Sequence, residues 1–231
     1  MLRSKRTVRH QTQVMFDGAI GVGPNGEPVK IFFEWVAKKK TAKRKSKYHK
    51  KGDVYLESCN MDVPYYTNNL RKIGKATRAY YKKVGAEKVR VVLQIDSAGG
   101  HGMAVGHGNY DKLAAMMLEE FNIELVQQPG NTPMYNLLDL TIWAAIQLEV
   151  DKMDNGARHR EAELVVVCKQ AFKNLPPVKI LRAFEMRKDV AQEAIETEGW
   201  CPQEGKGRGG AKRVHTDASY AELRKKLKID E

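Results

Sequence analysis

Cysteine is scarce in this chain, and long apolar runs are missing. Cys59, Cys168 and Cys201 are widely separated and form no Cys-x-x-Cys pair, so the sequence supports neither a disulfide framework nor a zinc ribbon. No apolar run approaches the ~20 residues that cross a bilayer, and the first residues carry scattered charges with no apolar segment after them. These absences lead to the expectation of a soluble, intracellular protein in a reducing compartment. Acidic residues are sparse at one end only: residues 1–90 hold seven Asp/Glu against 22 Lys/Arg, and the remainder holds 21 against 18. A net +12 concentrated in this way points to a polyanionic partner more than a uniformly basic surface would.

With 231 residues and 42% hydrophobic content, one α/β domain with a tail is expected, not two large domains. Thr12 to Phe16 and Val29 to Ala37 read as strands of a hairpin, separated by the turn-forming run Gly21 to Pro28. Lys38 to Lys51 has nine Lys/Arg in fourteen positions and reads as an exposed loop. Val63 to Lys83 has helical spacing, with Leu70, Ile73, Thr77, Tyr80 and Tyr81 inward and Arg71, Lys72, Lys75 and Arg78 outward. Val89 to Ile95 reads as a strand buried on both faces, Tyr110 to Phe121 as a covering helix and Ile123 to Val126 as a strand. That alternation predicts a parallel pair with a right-handed crossover.

Leu137 to Met153 reads as a helix with Leu138, Ile142, Ala145, Ile146 and Val150 inward. Helices over Glu161 to Phe172 and Pro177 to Gly199 follow, and Cys201 to Val214 lacks apolar periodicity. The expected divisions are residues 1–155 as the α/β domain, 156–200 as helices packed on it and 201–231 as a basic, largely flexible tail.

Asp96 closes the apolar strand Val91 to Ile95, where open α/β sheets place ligands, and Asp139 sits early in the next long helix. Two-metal phosphoryl transfer needs carboxylates converging on ions about 4 Å apart, and hard oxygen ligands select Mg²⁺ or Mn²⁺. Spacing alone also allows blander roles, a turn former for Asp96 and a helix-dipole partner for Asp139.

The flanking residues carry more. Gln94, Asp96, Ala98 and His101 match a Gln-x-Asp-Asn-Ala-x-x-His block, with Ser97 in place of Asn. Gln128, Pro129, Asn131, Pro133, Asn136, Leu138, Asp139 and Leu140 match a Gln-Pro-Pro-Asn-Ser-Pro-Asp-Leu-Asn-x-Leu-Asp-Leu block, from which Gly130, Thr132, Met134 and Tyr135 depart. In these blocks the chain resembles the DDE transposases of the Tc1/mariner superfamily, especially the mariner-like lineage of plants and other non-animal eukaryotes. The 42 residues between Asp96 and Asp139 are an interval usual for that superfamily. The likeness extends to Gln13–Phe16, similar to the family's Lys-Val-Met-Phe strand, and to Phe16–Gly21, similar to its Phe-Asp-Gly-Lys-Ile-Gly segment.

The resemblance implies an RNase H-like mixed sheet flanked by helices, with a helical extension. It implies metal-dependent DNA strand cleavage and transfer, with Asp96 and Asp139 as catalytic residues and Mg²⁺ or Mn²⁺ ligands. Double-stranded transposon ends would be the partner, a homodimer the assembly and the nucleus the location. Lys38, Lys39, Lys40, Lys43, Arg44, Lys45 and Lys47 would bind phosphates, or serve nuclear import, and His101 would contact the scissile phosphate. The family's first catalytic Asp, on a strand before the Lys-Val-Met-Phe segment, has no counterpart here, so a truncated, impaired enzyme is expected. Asp17 follows the wrong strand to stand in. The missing strand would be central, leaving two inner edges unpaired, and residues 1–10 are a poor replacement. The rival readings are a non-catalytic DNA-binding relic, in which the acids are idle, and an unrelated RNA-binding module.

Overall fold

The computed structural model describes residues 2–3, 12–96, 109–128, 135–153 and 160–196. His101, the glycines at 99, 100 and 102, most of the block from Pro129 to Pro133, and the tail beyond 196 lie outside the described residues. The architecture is mixed α/β, with eight strands and five α-helices among the described residues.

An N-terminal hairpin forms, but not from the expected first strand: of Thr12 to Phe16 only Phe16 belongs to the strand that pairs with Val29 and its neighbours. β1 (Leu2–Arg3) pairs antiparallel with β2 (Gln13–Val14), and β3 (Phe16–Val22) pairs antiparallel with β4 (Pro28–Trp35). Gly21, Val22 and Pro28, expected in the turn, are thus strand. β4, the partner of β3, supplies apolar side chains on both faces, and the turn shrinks to 23–27, where Gly26 at φ 78° takes the left-handed conformation. Ile31 is an extra residue on β4, since Ala19 pairs with Phe32 and Ile20 with Lys30.

The pleat of this hairpin sends alternate residues to two different helical layers. On one face Phe33 stacks between Phe16 and Phe172, at centroid distances of 4.2 and 4.3 Å. On the other, Glu34 accepts from Lys72 at 2.6 Å and Asp17 accepts from Asn69 at 2.9 Å. Both donors belong to α1 (Val63–Lys83), where Asp62 caps the N-terminus by accepting from the Tyr65 amide at 2.9 Å. Leu70, Ile73, Thr77 and Tyr81 are buried as their spacing predicts, while Tyr80 is half-buried.

The expected lysine loop is corrected in part. β5 (Ala37–Thr41) pairs antiparallel with β6 (Val54–Ser58), so Lys38, Lys39 and Lys40 stand on a strand, and only the connection from 43 onward is turn. Cross-strand neutralisation permits this, because the Lys40 ammonium donates to Glu57 on β6. The hairpin buries little apolar surface, leaving Val54 and Leu56 exposed, and so lacks the alternation that marks a half-buried strand.

β7 (Val91–Ile95) and β8 (Ile123–Gln127) form the predicted parallel pair, joined through α2 (Asn109–Phe121). The expectation of burial on both faces fails: Val92 is 53% and Val126 is 41% exposed. Helices cover only the face of Val91, Ile95, Ile123 and Leu125, which joins Tyr66, Leu70, Leu113 and Met117 in one core.

A π-helical stretch, Leu138–Ile142, leads into α3 (Trp143–Met153), followed by α4 (Glu161–Asn174) and α5 (Pro177–Glu196). These helices build a second core on β3 and β4, with Ile142, Ile146, Val150, Leu164, Cys168 and Ile180 fully buried. The two cores meet at no shared sheet. β3 bonds only to β4 and β7 only to β8, so each keeps an edge that pairs with no strand among the described residues.

Candidate functional site

Asp96 and Asp139 are 42 residues apart in sequence, and the fold brings them within electrostatic reach. Asp96 stands half-buried just past the end of β7. Asp139 lies in the first turn of the π-helical stretch, where its negative charge suits the N-terminal end of the backbone dipole. Although this residue is largely exposed, protein atoms crowd its carboxylate. Desolvation, then the charge of Asp96, raise its pKa, while hydrogen bonds from Asn136 and Trp143 partly oppose the rise. The Asn136 amide reaches Asp139 Oδ2 at 2.9 Å, and its oxygen accepts from the Leu138 amide at 3.0 Å, so one side chain both starts the helix and holds the acid.

The sequence blocks around the two acids are joined to each other. Gln94 Nε2 donates to Gln128 Oε1 at 3.1 Å and to the Tyr135 carbonyl at 2.8 Å, and the Gln128 amide donates to the Ile95 carbonyl at 2.9 Å. Gln128 is buried, so these bonds form away from competing water and hold the approach to Asp139 against the end of β7.

Asp17 also belongs to this place. Its strand sets it apart in the sequence, yet it lines the same cleft as Asp96. The fields of both reach Tyr66: burial first, then the charges of Asp17 and Asp96, push the pKa of this phenol well up, so it stays protonated. Asn69 holds Asp17 through Nδ2, and its own Oδ1 is buried with no partner. Pairing across β3 and β4 fixes the position of Asp17, a long-range relation that the local pattern does not carry.

Trp143 packs in the second core as its spacing suggests, with its ring 6.1 Å from Phe33 and its outer edge against Gly18, where an added Cβ would sit 3.2 Å from the indole. Its hydrogen bond to Asp139 is the part that periodicity does not reveal.

Two hard carboxylates, of which Asp96 raises the proton affinity of Asp139, suit a divalent cation, which would relieve their repulsion. They do not amount to a full centre: among the described residues no three His, Cys, Asp or Glu side chains converge on a point where a metal ion could sit. Lys38, Lys39, Lys40, Lys43, Arg44, Lys45 and Lys47 are all exposed, and none lines the cleft. Tyr48 stands among them, with Lys47 Nζ at 5.5 Å and the Arg160 guanidinium at 5.3 Å from its ring. No helix among the described residues is long and apolar enough to cross a membrane.

Comparison of the chain with family models, with curated proteins and with solved structures finds no match in any of the three.

Proposed function

We propose that this chain contains the catalytic domain of a Tc1/mariner-like DDE transposase, with an RNase H-like fold and an ancestral activity of metal-dependent DNA strand cleavage and transfer. The observation that carries this reading is the pairing of Asp96 with Asp139 by two blocks of similar sequence, held together through Gln94 and Gln128. The antiparallel hairpin and the crossover-linked parallel pair are compatible with such a sheet.

Mg²⁺ or Mn²⁺, held by Asp96 and Asp139, would supply activation of the attacking oxygen and stabilisation of the leaving one. The chain's own contribution is placement. Asn136 and Trp143 orient the Asp139 carboxylate, the end of β7 presents Asp96, and the exposed lysines and Arg44 draw in duplex DNA by neutralising phosphates.

Nicking of supercoiled plasmid in Mg²⁺ or Mn²⁺, compared with Asp96→Asn, tests the reading, with cooperative unfolding of both proteins as the folding control. Nicking lost in the variant supports a working metal site, and nicking that persists unchanged in Asp96→Asn would refute it. A second reading, a DNA-binding relic, is favoured by the absence of a converging acidic triad among the described residues. It expects folded protein that binds duplex DNA without nicking it, and binding that survives or tightens in the double variant Asp96→Asn, Asp139→Asn.

A further inference from the structure

The tip of the hairpin β5–β6 carries charge of one sign only. Residues 43–51 hold Lys43, Arg44, Lys45, Lys47, Lys50 and Lys51, with no Asp or Glu among them. At the centre of this run stands Ser46, exposed and directly preceded by three cations.

The tip is an ordered turn. The Ser46 amide donates to the His49 carbonyl at 2.8 Å, and the amides of Tyr48 and His49 both donate back to Ser46 Oγ, at 3.3 and 3.0 Å. His49 stacks on Tyr55 of β6 with ring centroids 4.0 Å apart, which fastens the turn to the strand. Two amides aimed at one hydroxyl oxygen make a small nest of positive dipole beside the place where phosphate oxygens on that hydroxyl would lie. Among the described residues, the hydrogen bonds of Ser46 stay within 46–49, so the segment opens into an enzyme's groove by losing local bonds only. Thr41 also follows a row of lysines, but it stands in the β5 ladder opposite Val54, where its backbone is held.

We propose that Ser46 is a phosphorylation site for a serine/threonine protein kinase whose acidic groove selects basic residues just before the acceptor, and that the phosphate closes the tip to polyanions. The charge run supplies the selectivity, because it attracts an acidic groove and repels a basic one. In the step itself Ser46 Oγ attacks the γ-phosphorus of ATP. The Oγ–P bond forms as the bond to the β,γ-bridging oxygen breaks, ADP departs with that electron pair, and the hydroxyl proton passes to the kinase's carboxylate base. The product carries about two negative charges at pH 7. Its oxygens accept from the Tyr48 and His49 amides and neutralise neighbouring lysines, which then offer less free charge to an outside phosphate chain. The modification is independent of the carboxylate cleft, and only its effect on DNA rests on the function proposed above.

The test incubates the intact chain with ATP, Mg²⁺ and the purified catalytic domain of such a kinase, and locates phosphate by mass spectrometry. Near-complete labelling of Ser46 is expected, with Ser46→Thr also accepting phosphate and the double variant Arg44→Gln, Lys45→Gln slowing incorporation about tenfold. The phosphorylated chain should leave heparin at lower salt and bind a random-sequence duplex about tenfold or more weakly, with the slope of log Kd against log salt reduced by about 2. Ser46→Ala treated in the same way should show neither change. No phosphate on Ser46 until the chain is denatured, faster labelling of Thr41, or unchanged heparin elution after full labelling of Ser46 overturns the proposal. An unmodified chain that binds heparin but no duplex, and that leaves heparin earlier once phosphorylated, supports the proposal and refutes the DNA reading.

Discussion

Gly74→Ala puts the packing of α1 on α2 to a direct test. In isolation the change stabilises, because alanine in a helix interior is favoured over glycine by about 1 kcal/mol. Here the new methyl would meet the Phe121 ring, with Cδ2 at 2.6, Cγ at 2.7 and Cε2 at 2.9 Å, all inside contact distance. The ring cannot simply swing away: its near atoms include Cγ, close to the backbone, and Arg78 donates to the Phe121 carbonyl and so ties that backbone to α1. Overpacking of this kind costs about 1–3 kcal/mol, and a clash this close belongs at or above the upper end. The expected net is a loss of about 1–2 kcal/mol after the propensity gain, or roughly 2–8 °C in the thermal midpoint. Urea titration read by circular dichroism measures it, with the midpoint falling and the slope unchanged. Phe121→Leu should restore part of the loss in the double variant, since a smaller side chain frees the space. A Gly74→Ala protein more stable than the parent would refute the close crossing of these helices, and with it the support given to β7 and Asp96.

Four further outcomes are expected. Asp96→Asn should lower the pKa of Asp139, followed by carboxyl NMR, because one of the causes of its rise is removed. By the same linkage, a carboxyl whose folded pKa lies above its ordinary value costs stability as pH rises from that value through the raised one, so Asp139→Asn should flatten this part of the stability profile. Ile146→Ala, in the fully buried heart of the second core, should cost about 2–5 kcal/mol in calorimetry, and a loss under 1 kcal/mol would speak against that core. Cys168, whose thiol burial pushes to about 12, should resist thiol reagents at pH 8 until the protein unfolds, and rapid native labelling there would contradict its place between α3, α4 and the hairpin.

Where local pattern and burial agree, the residues alone were legible. α1 was readable from its apolar spacing. The β7–α2–β8 crossover was readable from one β-branched run and the helix after it, and α3 from Ile142, Ile146 and Val150. Where partners far along the chain decide, the pattern misled. The Gly21–Val22 end of β3 reads as turn but is held as strand by β4, and the lysines of β5 read as loop but pair with β6. Asp17 could not be placed near Asp96 without knowing which edge of β3 faces β7.

Periodicity and charge, which are local, are what the sequence by itself determined: the amphipathic helices, the uneven distribution of basic residues, and one acid at a strand end with another early in a helix. Cross-chain geometry belongs to the tertiary structure alone. It decided that Asp96 and Asp139 repel one another across the fold, that Asn136 and Trp143 hold the second acid, and that β3 and β7 face each other unpaired. The physical reason is that a side chain's period is set by its own strand or helix, whereas hydrogen bonding of strand edges and the field at a carboxylate are set by residues tens of positions away.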